Sequence, residues 1–264
     1  MGTQTEGLLI RRPSGTLPLS QKEQNVKINL EVQRFNPETD AEPAFQSYEV
    51  EAEPTDRLLD VLMHVKRFRD GTLAFRKSCA HGVCGSDGMR INGKDRLACK
   101  TLVRDVADAE GAVIRIEPLR HFPVVRDLVV DQQTFFEKYR SVKPFLINDE
   151  PVKEKERIQS PEEREFFDDA TNCILCSACY SACPVLDDND DFLGPAAIAQ
   201  AFRFLEDSRD RGFRDRLHVL NDPNGVWPCQ NHFECTRACP RGIKITKHIN
   251  ETKRRIKRSQ EKKG

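Results

Sequence analysis

The sequence predicts an α+β protein in two parts, strands around one helix followed by helices alone. Three observations carry that expectation. Apolar residues alternate with polar ones in short runs up to AVIRIEP, and recur at helical spacing beyond it. The stretch between residues 79 and 99 is rich in glycine and contains a hairpin signal. The ten cysteines fall into three bunches, one in the first part and two in the second.

Taken in order, Ile28, Leu30 and Val32 alternate with polar neighbours as in a half-buried strand, and AFQSYEVEAE is a second such run. Asp56 stands where it would cap a helix carrying Leu58, Leu59, Val61, Leu62, Val65 and Phe68 on one broad face. Asn92-Gly93, between Met89-Arg90-Ile91 and Leu97-Ala98-Cys99, marks a hairpin. AVIRIEP closes the set with another strand. Strands, one crossover helix, a Gly-rich loop and a hairpin point to a β-grasp domain over residues 26–122, behind an N-terminal extension over 1–25. PLRHFPVVRDL reads as the linker. Residues 123–264 then read as an all-α domain. DLVVDQQTFFEKYRSV is expected as one helix. Ser160-Pro161-Glu162-Glu163 is a capping box opening EEREFFDDA. PAAIAQAFRFLEDSRD is an amphipathic helix behind Gly194-Pro195, and KITKHINETKRRIKRSQEKK is a basic one.

Composition narrows the function. Lys+Arg and Asp+Glu both number 42, so no net field points to nucleic acid. No apolar run approaches the ~18 residues that span a bilayer; the longest, Ile174 to Leu186, is interrupted by Ser and Pro. MGTQTEGLLIRRPSGTLPLS has no apolar segment of a signal peptide. Its arginines and serines faintly echo a transit peptide, against Glu6. Without a secretory signal the cysteines read as metal or cluster ligands rather than disulfides.

Cys79, Cys84 and Cys99 keep the spacing of a plant-type [2Fe–2S] loop, with Asp87 in the slot of the missing thiolate. Gly82, Gly85 and Gly88 let backbone amides turn toward the sulfurs. Asp87 is the expected fourth ligand; Ser86, or water with Asp87 a solvated turn residue, are the alternatives. CILCSACYSACP places Cys173, Cys176, Cys179 and Cys183-Pro184 in C-x2-C-x2-C-x3-C-P spacing, in which the fourth thiolate reaches a second cluster. A zinc site would instead pair two C-x2-C knuckles. CQNHFECTRACP repeats the outer spacing with Cys229, Cys235 and Cys239, but its middle position is His232. Cys173, Cys176, Cys179 and Cys239 then hold one [4Fe–4S] cubane. Cys183, Cys229 and Cys235 hold a cluster one thiolate short. That cluster is either [3Fe–4S] or a [4Fe–4S] completed by His232, since imidazole binds iron.

This succession of domains is a rare combination. With RKSCAHGVCGSDGMRINGKDRLACK, KERIQSP, CILCSACYSACP and GPAAIAQAFRF, the chain resembles the iron–sulfur subunit of succinate dehydrogenase and of its relative quinol:fumarate reductase, from about residue 26 to 258. The resemblance implies a plant-type [2Fe–2S] domain followed by a two-cluster bacterial ferredoxin-like domain. It implies a separate flavoprotein that oxidises succinate at FAD, and electrons crossing [2Fe–2S], [4Fe–4S] and [3Fe–4S] in turn to a quinone at membrane anchor subunits. This chain would be the wire of an oxidoreductase complex, with no substrate-converting site of its own. It would sit peripherally on the cytoplasmic face of a bacterial inner membrane. Some members also carry Asp in the third [2Fe–2S] slot, which supports Asp87.

Two departures bear on the quinone. Members often have a Trp pair shortly after the Cys-Pro, where this chain has Asp187 and Asp188, and a His after the first cysteine of the last motif, where it has Gln230. Pro184, Trp227, Gln230 and His232 are the expected quinone neighbours, in a divergent site such as one for menaquinone. The acidic run is a solvated loop, an anchor contact or a proton supply. The basic tail, with Lys253, Arg254, Arg255, Lys257 and Arg258, meets anionic headgroups or is a solvated face. Fumarate reduction along the same path, a free-standing multi-cluster ferredoxin and a zinc-binding interaction module are the rival readings.

Overall fold

A computed structural model of the chain describes residues 25–107, 109–152 and 155–261; most of the N-terminal extension, with its transit-like pattern, lies outside the described residues. The first unit comprises β1 (Val26–Arg34), β2 (Ala44–Ala52), α1 (Leu58–Phe68), β3 (Gly88–Ile91), β4 (Lys94–Leu97) and β5 (Val113–Glu117). The five strands form one mixed sheet in the order β2-β1-β5-β3-β4. Leu30 of β1 lies opposite Tyr48 of antiparallel β2 and Ile114 of parallel β5. The alternation does what it predicts: Ile28, Leu30 and Val32 are almost fully buried while their neighbours are not. α1 adds Leu58, Leu59, Val61, Leu62 and Val65 to the same core, each worth roughly 1.5–3 kcal/mol on burial.

Local expectations need correcting at three points here. Arg57, not Asp56, stands at the N-cap of α1, because the Asp56 carboxylate is drawn back to the Glu53 N–H (2.9 Å). Phe68 ends the helix 71% exposed, off the buried stripe. The hairpin forms at Asn92-Gly93, both with positive φ as a two-residue turn requires. Its return strand is Lys94–Leu97, while Ala98–Lys100 tightens into a 3₁₀ turn that brings Cys99 inward.

The second unit begins with a small hairpin, β6 (Val124–Arg126) and β7 (Val129–Val130), so residues 123–264 are not wholly helical and the expected linker is not extended. Asp127 in its turn explains why. One carboxylate oxygen accepts from Phe35 N (3.0 Å) and the other from Ala74 N (2.8 Å), with Arg34 Nε at 3.1 Å. This buried staple ties the hairpin to the first unit and delays the next helix to α2 (Gln133–Ser141). α3 (Pro161–Glu165) has the expected capping box, Ser160 and Glu163 each accepting from the other's backbone N–H, but gives way to a 3₁₀ turn at Asp168–Asn172. α4 (Ala178–Ser181), α5 (Val185–Asp188), α6 (Pro195–Leu205), α7 (Phe213–Leu220), α8 (Glu234–Arg237) and α9 (Ile245–Glu261) complete the chain.

α6 is the axle of this unit, packed against α2, α4, α7 and α9. Every residue of it except Arg203 is buried, so it is a core helix and not the amphipathic one its sequence suggests. Gly194 before it has φ 90°, and a Cβ there would stand 2.8 Å from the Tyr180 ring. Fully buried Arg216 of α7 donates to Asp210 and to the carbonyls of Val142, Lys143 and Phe145, fixing the strand of chain that follows α2.

Candidate metal centres

The first centre lies on the loop between α1 and β3. Gly82 and Gly85 take left-handed φ of 73° and 72°, which folds the loop so that N–H groups face the sulfurs. His81 N donates to Cys79 Sγ at 3.3 Å. That N–H, with Cys84 and the Val83 N–H, holds the Cys79 thiol down to about 6. Ser86 Oγ lies 3.2 Å from Cys84 Sγ, engaged with a thiol rather than turned inward alone. Asp87 is 2% exposed, so it is no solvated turn residue. Its Oδ2 accepts from Cys99 N at 2.5 Å. Burial, then the Asp87 carboxylate, pushes the Cys99 thiol up to about 12, which places acid and thiol side by side. Cys79, Cys84, Asp87 and Cys99 are thus one cluster of side chains.

Gly88 is not a turn residue. Like Gly85, it is where the first unit meets the second. A Cβ on Gly85 would stand 2.6 Å from Cys176 Cβ, and one on Gly88 3.1 Å from the Cys176 carbonyl oxygen. Cys176 and Ala178 accordingly belong to the core of the first unit. Close by, Ser181 Oγ donates to buried Asp95 of β4 (2.5 Å) and accepts from Arg120 N (2.8 Å).

The second centre is a cavity walled by Cys173, Cys176, Cys179 and Cys239, with Phe135, Ile243 and Ile245 as apolar lining. Burial pushes Cys176 up to about 12 and Cys179 well above the ordinary thiol range, so a group that takes thiolates must release their protons here. The third is a cavity walled by Cys183, Cys229 and Cys235, with Pro184, Gln230, His232, Phe233 and Thr246 around it. Thr246 Oγ1 lies 3.5 Å from Cys235 Sγ. Cys183 is pushed up to about 11, again mainly by burial. Among the described residues no three His, Cys, Asp or Glu side chains converge on a single-ion site; the thiols of the second and third centres stand round cavities instead. Thiols spaced around enclosed pockets with inward N–H groups are the donor sets that iron–sulfur clusters take.

The two loops share a backbone. Leu175 and Ser177 are left-handed (φ 53° and 64°), and so are Asn231 and Phe233 (63° and 66°), each pair followed by a four-residue helix. His232 therefore occupies the place in its loop that Cys176 occupies in the other, but is exposed. Of the expected quinone neighbours, Pro184, Gln230 and His232 line the third cavity. Trp227 does not; its Nε1 faces Asn221 (3.3 Å) and Lys257 lies over its ring. The basic tail is engaged in part within the chain, while Arg258 stays exposed. Lys253 Nζ donates to Cys229 O (2.7 Å), Asn250 to Asn231 Oδ1 (3.0 Å), and Arg255 pairs with Glu206 (2.8 Å). The acidic run is partly engaged as well, Asp187 lying 3.0 Å from Arg120 and 3.5 Å from His121. These contacts left no trace in the sequence beyond the helical spacing of Asn250, Lys253 and Lys257.

Comparison with known proteins agrees with this layout. Residues 29–137 match the model of a 2Fe-2S iron-sulfur cluster binding domain, and residues 169–243 that of a 4Fe-4S dicluster domain. The chain is 47% identical over 219 residues to the fumarate reductase iron-sulfur subunit of Mycobacterium tuberculosis, covering 82% of this chain and 87% of that one. It is 41% identical over 222 residues to the succinate dehydrogenase iron-sulfur subunit of Coxiella burnetii, covering 83% and 93%. Among solved structures, a chain of the Mycobacterium smegmatis Sdh1 complex in the apo form superposes with a TM-score of 0.79 at 30% identity, covering 88% of this chain and 96% of that one.

Proposed function

This chain belongs to the family of succinate dehydrogenase and fumarate reductase iron–sulfur subunits, and from that premise we propose that it conducts electrons between FAD in a flavoprotein subunit and a quinone at membrane anchor subunits. The observation that carries this reading is the contact of Gly85 with Cys176, which sets the first centre directly against the second. The clusters supply one-electron redox chemistry; the protein supplies their spacing and surroundings.

Cys79, Cys84, Asp87 and Cys99 would hold the [2Fe–2S] cluster. The Cys99 N–H holds one Asp87 oxygen, so the other would be the one to meet iron. Cys173, Cys176, Cys179 and Cys239 would hold the [4Fe–4S] cluster, and Cys183, Cys229 and Cys235 the [3Fe–4S] cluster. His232 stands in the vacated thiolate slot, and its exposed imidazole would be open to a partner. With Pro184 and Gln230 it would border the quinone, while Lys253 keeps a cation beside that loop. We read the first unit as a plant-type β-grasp over residues 26–122, behind an extension over 1–25. The second, over 123–264, is a bacterial two-cluster unit. Leu119 and Phe122 pack into the second core and Leu128 into the first, so the chain crosses between the two there. Among the described residues no helix is long and apolar enough to cross a membrane, so attachment to the cytoplasmic face of a bacterial inner membrane would rest on the anchor subunits.

Low-temperature EPR of the anaerobically purified complex, as isolated and after succinate or dithionite, tests this. The expected result is a near-isotropic signal in the oxidised sample and a [2Fe–2S] signal on reduction. An active, iron-replete complex without the oxidised signal would mean a fourth iron in the third centre, with His232 as its ligand. The same path run toward fumarate is a second reading, favoured by the 47% identity to a fumarate reductase subunit. The ratio of succinate oxidation to fumarate reduction by the complex separates the two.

A further inference from the structure

α6 carries one polar residue with no place in the account so far. Gln200 is 4% exposed in a helix whose other buried residues are all apolar. A carboxamide buried without partners costs roughly 1–3 kcal/mol on mutational scales, so its bonds matter. Its Nε2 donates to Ala170 O at 3.1 Å. That same carbonyl accepts from Cys173 N at 3.4 Å. Gln200 and the first ligand of the second centre therefore converge on one acceptor. A carboxamide nitrogen has two hydrogens, and the bond to Ala170 uses one. The neighbouring Ala199, and Ala196 one turn back, line the cavity itself, so the Gln200 stem leaves α6 at the cavity's edge.

We propose that Gln200 tunes the [4Fe–4S] cluster, directing its second N–H to the Cys173 sulfur and raising the cluster's midpoint potential. This rests on the reading of Cys173, Cys176, Cys179 and Cys239 as its ligands. The physical reason is that reduction adds negative charge, shared by the sulfurs, and a hydrogen bond to sulfur stabilises the more electron-rich state. Gln200 also steadies the Ala170–Cys173 turn through Ala170 O, so it is a positioning residue as well as a donor.

The test uses the intact complex, carrying Gln200→Leu or Gln200→Met, in redox titrations followed by EPR. Leu and Met keep the side chain's bulk and remove its donor. Loss of the donor should lower the reduction equilibrium constant of the [4Fe–4S] cluster about tenfold, a shift of about 59 mV for one electron. The [2Fe–2S] and [3Fe–4S] midpoints should not move. An unchanged [4Fe–4S] midpoint in either variant overturns the proposal. So does a parallel shift of all three midpoints, which would mark general loosening. If neither variant loads the [4Fe–4S] cluster while the other two load, Gln200 is purely structural and the tuning role falls. A wild-type complex without any [4Fe–4S] signal would overturn the ligand reading itself, and this proposal with it.

Discussion

The loops Cys173–Cys179 and Cys229–Cys235 follow the same path, with left-handed residues at matching positions and a short helix after each. Each left-handed position costs non-glycine side chains such as Leu175 and Phe233 roughly 1–2 kcal/mol. The second loop keeps this strained path although its central position is His232. The path is therefore not dictated by the central thiol. What separates the loops is what they face. Cys176 is pressed against Gly85 and Gly88 of the first unit, whereas His232, Asn231 and Phe233 are exposed. One loop faces inward to another part of the same chain and the other faces outward. One of the two loops is thus covered within the chain and the other is open at its surface.

The largest expected effect comes from Cys176→Ala. It should empty the second centre, measured as loss of the iron of one cubane and of its EPR signal, and stop succinate-driven quinone reduction. His232→Ala, at the matching position, should leave the iron content unchanged. If both variants lose iron alike, the loops are not different in kind. His232→Cys should make the two loops equivalent. The near-isotropic oxidised signal should disappear and each chain should gain iron, read by EPR and metal analysis.

Next is Gly85→Ala, which puts a methyl group on a left-handed residue and into the Cys176 backbone. A destabilisation of about 3 kcal/mol is expected from strain and overpacking together. It should appear as a drop in melting temperature of the assembled subunit and as slower flavin-to-[4Fe–4S] electron transfer. The smallest effect is expected for Lys253→Met, which removes the bond to Cys229 O. A loss of about 1–2 kcal/mol local to the outer loop should raise its hydrogen exchange and leave the inner loop untouched.

Much of this layout was legible beforehand, for a physical reason. Cysteine spacing is a local property, so Cys79 to Cys99 and both later motifs stood out in a single reading of the chain. Period-two runs and the Asn-Gly turn are local too, and β1, β2, β5 and the turn at Asn92-Gly93 formed where they were expected, though the return strand of that hairpin starts earlier than its sequence suggested. Features set by distant partners were not legible. The Asp127 staple that turns DLVV into a hairpin depends on Phe35 and Ala74. The burial of α6 on all sides depends on four other helices. Gly88 looked like a third turn glycine, and its true constraint is a carbonyl 88 positions downstream. Gln200 could have drawn notice as a polar residue amid PAAIA and AFRFL, but its partner Ala170 lies on a turn no periodicity marks.

The contact between Gly85 and Cys176 also joins the fate of two loops far apart in sequence. Cys176 and Cys179 are each about nine-tenths covered, and part of the cover over Cys176 is the backbone of the first unit. A change at Gly85 therefore reaches a thiol of the second centre without altering any residue of its own loop.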